Sequence, residues 1–592
     1  MISIILASNE FLKESNARKA AIAERVRVEE ARVRATEEKA RQEAGELISY
    51  KAIYQELIKH INTLVPQGDA LFIVSAHDFV PSRGELVDFI RSQLYKHSYM
   101  EGFISQYNAN LARVSQDAMT NTDYERGRRL DPREYKGSDV IEQYLAGTSF
   151  VPDIQGMRIG IGIPDDLRPH HGVIFGASGS GKTQLIEKLI LADLAKEDRP
   201  CIIVIDSKDD IIPRVASLPR FNTDLADKIL IIDHRDKPAL NMFDVGEVTN
   251  EKVNAVESGM KYFFGSLLGE ELSGQMNTLF TPLLHIVLRV PGATLGDLRD
   301  LVRNPLMYPD IIAQLPPRIR RFVETEMVAS RSEDPYRQTK QSLITRIQGI
   351  INKGTLDEMF SAPANSVDLL DAIEQRKVIL ISTDANGLQD LSPIFGRFWI
   401  SQIMNAGRAR GSKYGADRPN VHFYIDECAP YVDDKLVSML TTIRSYGVGV
   451  MLAFQGPWQM GTYASAILQN TAVKFASGDV GLDLPGIVPV KSTKTVGAFS
   501  LYYSDLPHTL NVRFQFGELD RLPAMSKSAY HKLRRLNRQR LQSVSTPRYE
   551  PEVVDLPQRE LESPPPGKPK ETKGRKPKKS DPDIDINPSS TL

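Results

Sequence analysis

A chain of 592 residues exceeds what one hydrophobic core supports, so two or more domains are expected. Hydrophobic residues make up 41% and charged residues 25%, the balance of a folded globular protein, which excludes a wholly disordered chain. The net charge of −1 excludes a global electrostatic pull on nucleic acid, so any such contact has to come from a local basic surface, a pore or a tail.

The first seven residues are apolar, but they lack a basic leading segment and are soon followed by Glu10, unlike a signal peptide. Residues 10–48 are rich in Ala, Glu and Arg without Gly or Pro until Gly45, which predicts a helix. Val26, Val33, Ala40 and Leu47 recur every seven residues, yet the partner column of Glu29, Thr36 and Glu43 is polar. The pattern therefore favours a solvated helix over a coiled coil with a complete seam. Residues 49–145 mix helical patterns with one short apolar run, 70–75, and predict a small mainly helical domain.

From about residue 146 the texture changes to short apolar runs punctuated by Gly and Pro. The runs 156–162, 171–175, 201–205, 229–232, 378–381, 421–425 and 448–453 are strand candidates, several separated by helical patterns. Such alternation predicts an α/β fold with a mainly parallel sheet covered on both faces. Between residues 250 and 362 the apolar spacing is helical throughout, which predicts an all-helical insertion dividing the sheet domain into 146–249 and 363–545. Residues 546–592 turn to Pro, Lys, Glu and Ser, with a basic block at 568–579 and an acidic one at 581–585; a disordered tail is expected. No segment reaches the roughly 18 apolar residues that span a bilayer. The two cysteines, Cys201 and Cys428, lie in or beside strand-like runs, suiting a reduced cytoplasmic protein, with recruitment to a membrane by a partner left open.

The sharpest motif is Gly176, Ala177, Ser178, Gly179, Ser180, Gly181, Lys182 and Thr183, which satisfies G-x-x-x-x-G-K-[ST] in full. It follows an apolar strand and opens a helix beginning at Gln184, so the loop's N–H groups and the helix N-terminus would face the phosphates of ATP. Lys182 would reach the β- and γ-phosphates, and the Thr183 hydroxyl would bind Mg²⁺. Asp426 and Glu427 end the strand 421–425 at the same sheet edge; Asp426 would hold Mg²⁺ and Glu427 would polarise the attacking water. Asp206, Ser207, Lys208 and Asp209 close the strand 201–205, and either support the metal and water from behind or form a charged turn. Gln455 ends the run 448–454 near the expected γ-phosphate. Arg444, within a predicted helix at 436–445, is by residue type alone an ordinary surface cation.

Read together, these motifs resemble the HerA/FtsK superfamily of DNA-pumping ATPases, and within it the TraG/TraD-type coupling proteins of conjugative type IV secretion. The resemblance spans about residues 145–511. It rests on HHGVIFGASGSGKTQLI, IIVIDSKDD, RPNVHFYIDECAPYV, LTTIRSYGVGVMLAFQG and ILQNTAVKF, and the specific part is Asp-Glu, then Ile-Arg-x-x-Gly, then a strand ending in Gln. The resemblance implies a ring of identical subunits, a hexamer, with Arg444 completing a neighbour's site and Gln455 sensing phosphate. It also implies DNA as cargo, with a relaxase and secretion channel as partners. Two positions depart from the pattern: Ser207 stands where the family has Pro, and Asp209 where it has Gly. Coupling proteins also begin with membrane-spanning helices, which this sequence lacks. A HerA-like translocase partnered by a nuclease, serving DNA-end processing, phage defence or packaging, would carry the same motor; an ATP-gated scaffold is the reading from another class.

Overall fold

A computed structural model describes residues 2–137, 139–245, 274–328, 334–413, 418–478 and 496–542, with residues 248, 249, 253 and 256 besides. The tail expected from 546 onward lies outside the described residues.

The chain opens with one helix, Ile2–Leu64, about 95 Å long at ~1.5 Å per residue. Residues 24–44 are exposed on every side, as the polar heptad column requires. Burial begins at Ser49 and continues where apolar residues fall four apart, at Ile53, Leu57 and Ile61. The following region is helical around one strand, β1 (Phe72–Ser75), which pairs antiparallel with β2 (Arg158–Ile161). The run 156–162 thus yields a strand, but in a separate two-stranded sheet rather than the main one.

Nine strands form the main sheet in the order β11-β10-β9-β3-β8-β7-β4-β6-β5. They are β3 (Gly172–Phe175), β4 (Cys201–Asp206), β5 (Ile229–Asp233), β6 (Val378–Ser382), β7 (Val421–Ile425), β8 (Val448–Phe454), β9 (Val473–Ala476), β10 (Ala498–Tyr502) and β11 (Leu510–Arg513). From β9 through β5 every neighbouring pair is parallel. β10 and β11 then extend the β9 edge antiparallel. These last three strands escape a search for unbroken apolar runs because Lys474, Ser500 and Asn511 interrupt them.

Alternation along each strand divides the core in two, as a period of two requires. Val173, Phe175, Ile203, Ile205, Phe423 and Ile425 pack on one face with the helices Gly274–Val287, Leu295–Arg303, Arg337–Ile351 and Ser392–Lys413. Ile174, Ile202, Val204 and Tyr424 pack on the other with the helix Lys182–Ala195 and the N-terminal region. Among the described residues no strand falls between β5 and β6, in keeping with the helical spacing of that stretch. At the far edge the helix Lys527–Gln542 covers β5. Asn537 donates to the Ile231 carbonyl at 2.6 Å and accepts from its N–H at 2.9 Å, as a paired strand would. Arg534 and Arg538 bind Asp236 beside it, at 2.8 and 2.7 Å.

Candidate nucleotide site

The parallel order brings the C-terminal ends of β3, β4, β7 and β8 to one edge, and the candidate residues gather there. β3 hands over to the loop at Gly176, whose N–H donates to the Phe454 carbonyl at the end of β8, 3.1 Å away. Gly179 and Gly181 adopt φ of +79° and +102°, a backbone that a side chain resists. A Cβ on Gly176 would lie 2.3 Å from Ser180 Oγ. Ala177, Ser178 and Gly179 are exposed at the loop's crest, while Ser180 Oγ is buried without a hydrogen-bond partner. The wrapped backbone, the orphaned hydroxyl and the helix N-terminus fit a triphosphate.

Lys182 is buried, and its Nζ donates to the Gly176 carbonyl at 2.8 Å; burial depresses its pKa, against the pull of Glu427 and Asp426. Thr183 Oγ1 donates to Asp426 Oδ2 at 3.0 Å, so the hydroxyl and carboxylate chosen from sequence as Mg²⁺ ligands touch across 243 residues. Asp426 is 1% exposed, and burial, reinforced by Asp206 and Glu427, pushes its carboxyl up to about 6. Glu427 sits at φ +50°, an uncommon left-handed conformation for a non-glycine residue. Its N–H donates to Asp426 Oδ1 at 3.1 Å. Gln455 Nε2 lies 3.4 Å from Glu427 Oε2, and the Gln455 N–H donates to Gln459 Oε1 at 2.6 Å.

Lys208 was named by sequence only as one of four residues, 206–209, that either support the metal and water or form a turn. Its Nζ donates to Glu427 Oε1 at 2.6 Å, and this ammonium holds the Glu427 carboxyl below its usual range despite burial. The signal was available in principle: Lys208 stands two residues past β4, and β4 neighbours β7. Of the two readings of 206–209, Asp206 supports the turn. Its carboxylate accepts the N–H groups of Lys208, Ile211 and Ile212, at 3.1, 2.8 and 3.1 Å. Asp209 adopts φ +58°, the left-handed backbone suited to the glycine of the family pattern, and is held by Ser382 and Arg235.

Gln184 turns away from the loop crest. Its Oε1 accepts the Gly517 N–H at 2.7 Å and its Nε2 donates to Glu187 at 2.8 Å. Glu187 is 1% exposed, and burial pushes it up to about 8 although Arg214 lies 2.8 Å from Oε1, outside hydrogen-bonding geometry. Arg444 is not on the helix predicted for it. That helix, Asp434–Thr442, starts where Asp433 accepts the Leu436 N–H at 3.0 Å, and gives way to a 3₁₀ turn, Ile443–Tyr446. The turn carries an exposed Arg444 to the start of β8, near His170, whose pKa is depressed by burial and then by Arg444. At ~3.3 Å per residue, β8 separates Arg444 from its own chain's phosphate loop by roughly 20 Å.

Sheet order, loop and acidic strand end define a P-loop, RecA-like α/β fold. A family model described as the TraM recognition site of TraD and TraG matches residues 420–482, about a tenth of the chain. That match bears out the resemblance to TraG/TraD-type proteins over the segment carrying Asp426, Glu427, Arg444 and Gln455. No curated protein sequence matches the chain. Among solved structures, the unbound bacterial conjugative coupling protein TrwBΔN70 is 13% identical, covering 60% of this chain and 87% of TrwB at a TM-score of 0.42. TrwB in complex with the ATP analogue ADPNP is 14% identical over 62% of this chain and 91% of TrwB, TM-score 0.41. VirB4 of Thermoanaerobacter pseudethanolicus is 14% identical over 62% and 96%, TM-score 0.44. Among the described residues no helix is long and apolar enough to cross a membrane.

Proposed function

We propose that the chain hydrolyses Mg-ATP at this edge and uses the energy to move DNA through a ring of identical subunits, in the manner of a conjugative coupling protein. The observation that carries the reading is the hydrogen bond between Thr183 and Asp426, which joins the phosphate loop to the acidic end of β7. Mg-ATP supplies the labile phosphoanhydride bond and the cation that offsets its charge. The loop N–H groups from Gly176 to Gly181 bind phosphate oxygens, and Lys182 exchanges the Gly176 carbonyl for the terminal phosphates. Thr183 and Asp426 would hold the metal. Glu427, kept ionised by Lys208, orients the attacking water, and Gln455 bridges that carboxylate to β8. The distance between Arg444 and its own loop supports service to a neighbouring subunit, which suits head-to-tail contacts that close on themselves, as in a hexamer. The family match and the motif order support a coupling-protein reading, and DNA as cargo, with a relaxase or secretion channel as partners, belongs to this proposal.

The test is ATP turnover with and without DNA at several salt concentrations. Wild-type protein should hydrolyse ATP, faster with DNA, and the stimulation should fall as salt rises because phosphate contacts release counterions. Lys182→Ala should abolish turnover; a variant that keeps most of its activity overturns the proposal.

A further inference from the structure

Beyond the phosphates, a nucleotide presents a flat aromatic base, and none of the site residues above offers it a surface. The chain after β11 does. Leaving Arg513, it passes the start of the helix Lys182–Ala195 and is fastened at several points. The Phe514 N–H donates to the Gly497 carbonyl at 3.2 Å, and the Gly497 N–H donates to Ser180 in the phosphate loop at 3.1 Å. A Cβ on Gly181 would stand 3.7 Å from the Phe514 ring, which is stacked on Phe499 with centroids 5.9 Å apart and planes at 19°. The Gly517 N–H is held by Gln184, Glu518 by Lys188 at 2.8 Å, and Asp520 by Arg214 at 2.7 Å. Arg521 donates to the Phe516 carbonyl at 3.0 Å. On this pinned strap the Phe516 side chain is 50% exposed.

We propose that Phe516, on the strap floored by Phe514, is the platform on which the aromatic base of a nucleoside triphosphate stacks. The inference deepens the ATP reading and rests on it. A lone exposed aromatic is ordinary on a protein surface. Phe516 differs because the backbone on one side of it is tied through Gly497 to Ser180 of the phosphate loop, and on the other to Gln184 and Lys188 of the helix that follows, so little backbone freedom is left to lose on binding. The base of a nucleotide is joined to its phosphates through a single sugar, so its platform has to lie within a sugar's reach of the loop, and this strap is bonded to Ser180 of the loop through Gly497. Stacking accepts any base because each has a π-face, so Phe516 sets affinity for the base without choosing between purines.

The experiment compares titration calorimetry of Mg-ATP and Mg-tripolyphosphate, which lacks base and sugar, on wild-type protein, Phe516→Ala and Phe516→Trp. Melting temperature and assembly mass are recorded for each. The expected result is a loss of about tenfold in ATP affinity for Phe516→Ala, equivalent to ~1.4 kcal/mol, with tripolyphosphate affinity unchanged and Phe516→Trp close to wild type. Unchanged ATP affinity overturns the proposal, including the case where only assembly mass shifts and Phe516 belongs to an interface between copies. An equal loss for both ligands also overturns it, since the strap would then shape only the loop. Wild-type protein that binds neither ligand overturns the ATP reading itself, an outcome distinct from the others.

Discussion

Two carboxylates near the loop show how burial and neighbours divide labour between like residues. Glu427 is partly buried but faces Lys208 and stays ionised, whereas Glu187 is buried deeper and the cation beside it, Arg214, does not offset desolvation. Glu427→Gln should therefore bind Mg-ATP with near wild-type affinity and hydrolyse it ~10²–10⁴-fold more slowly. Paired binding titrations and turnover rates check this, and a loss of binding matching that of an Asp426 substitution rejects the separation of metal holding from water orientation. Glu187 gives a prediction in pH. Its usual value of 4.5 rises to about 8 in the fold, so between these values the folded chain keeps a proton that the unfolded chain has released. Stability then declines as pH rises through that window. Glu187→Gln abolishes the decline, and its stability relative to wild type, read from denaturant unfolding, should be lowest near pH 5 and climb to a plateau above pH 8. A pH-independent difference would mean that Glu187 is charged in the fold.

At the scale of elements, what the sequence disclosed depended on how strands are buried. The strands β3, β4, β6, β7 and β8 sit inside the sheet, and β5 at its edge is covered by the helix Lys527–Gln542, so all six read as nearly continuous apolar runs. β9, β10 and β11 carry polar residues, and their assignment needed pairing information that no local pattern holds. The site follows the same division. Gly176–Thr183 and the Asp426–Glu427 end of β7 are contiguous motifs and were legible, and parallel topology alone predicts that they share an edge. Lys208 was legible only as a member of the group 206–209, its bond to Glu427 spanning 219 residues, and the strap at 514–517, reaching the site through a pairing 333 residues apart, was not legible. Arg444 belongs between these cases: its motif was visible, but its helix was taken three residues too far, and only the fold puts it at the end opposite the phosphate loop. That position makes a complementation prediction. Arg444→Ala and Lys182→Ala should each lack turnover, since a trans-acting arginine is worth on the order of 10³–10⁵ in rate. Rings assembled from a mixture pair some intact loops with some intact arginines, so single-turnover hydrolysis should return. Co-assembled rings with no recovered burst would leave Arg444 a surface cation.

At the scale of the whole chain, the sheet grows outward from a central β3, β8, β7 and β4, and its two edges are finished late. One edge is completed by the antiparallel pair β10 and β11, the other by the helix Lys527–Gln542. Asn537→Ala removes both hydrogen bonds to Ile231 and leaves buried backbone groups unpaired, a cost of roughly 1–3 kcal/mol for each group. Denaturant unfolding should show that loss, while a stability within error of wild type would mean that water satisfies β5 unaided. The seal has a consequence for biogenesis. Ile231 meets its partner 306 residues further along, so during synthesis β5 leaves the ribosome long before anything can cover it. At ~5–20 residues per second, the strand waits about 15–60 s with an open row of N–H and C=O groups, the state in which strands of neighbouring nascent chains pair with each other. Chaperone demand for this chain should therefore be set by translation speed over residues 234–542 and not by the stability of the finished molecule.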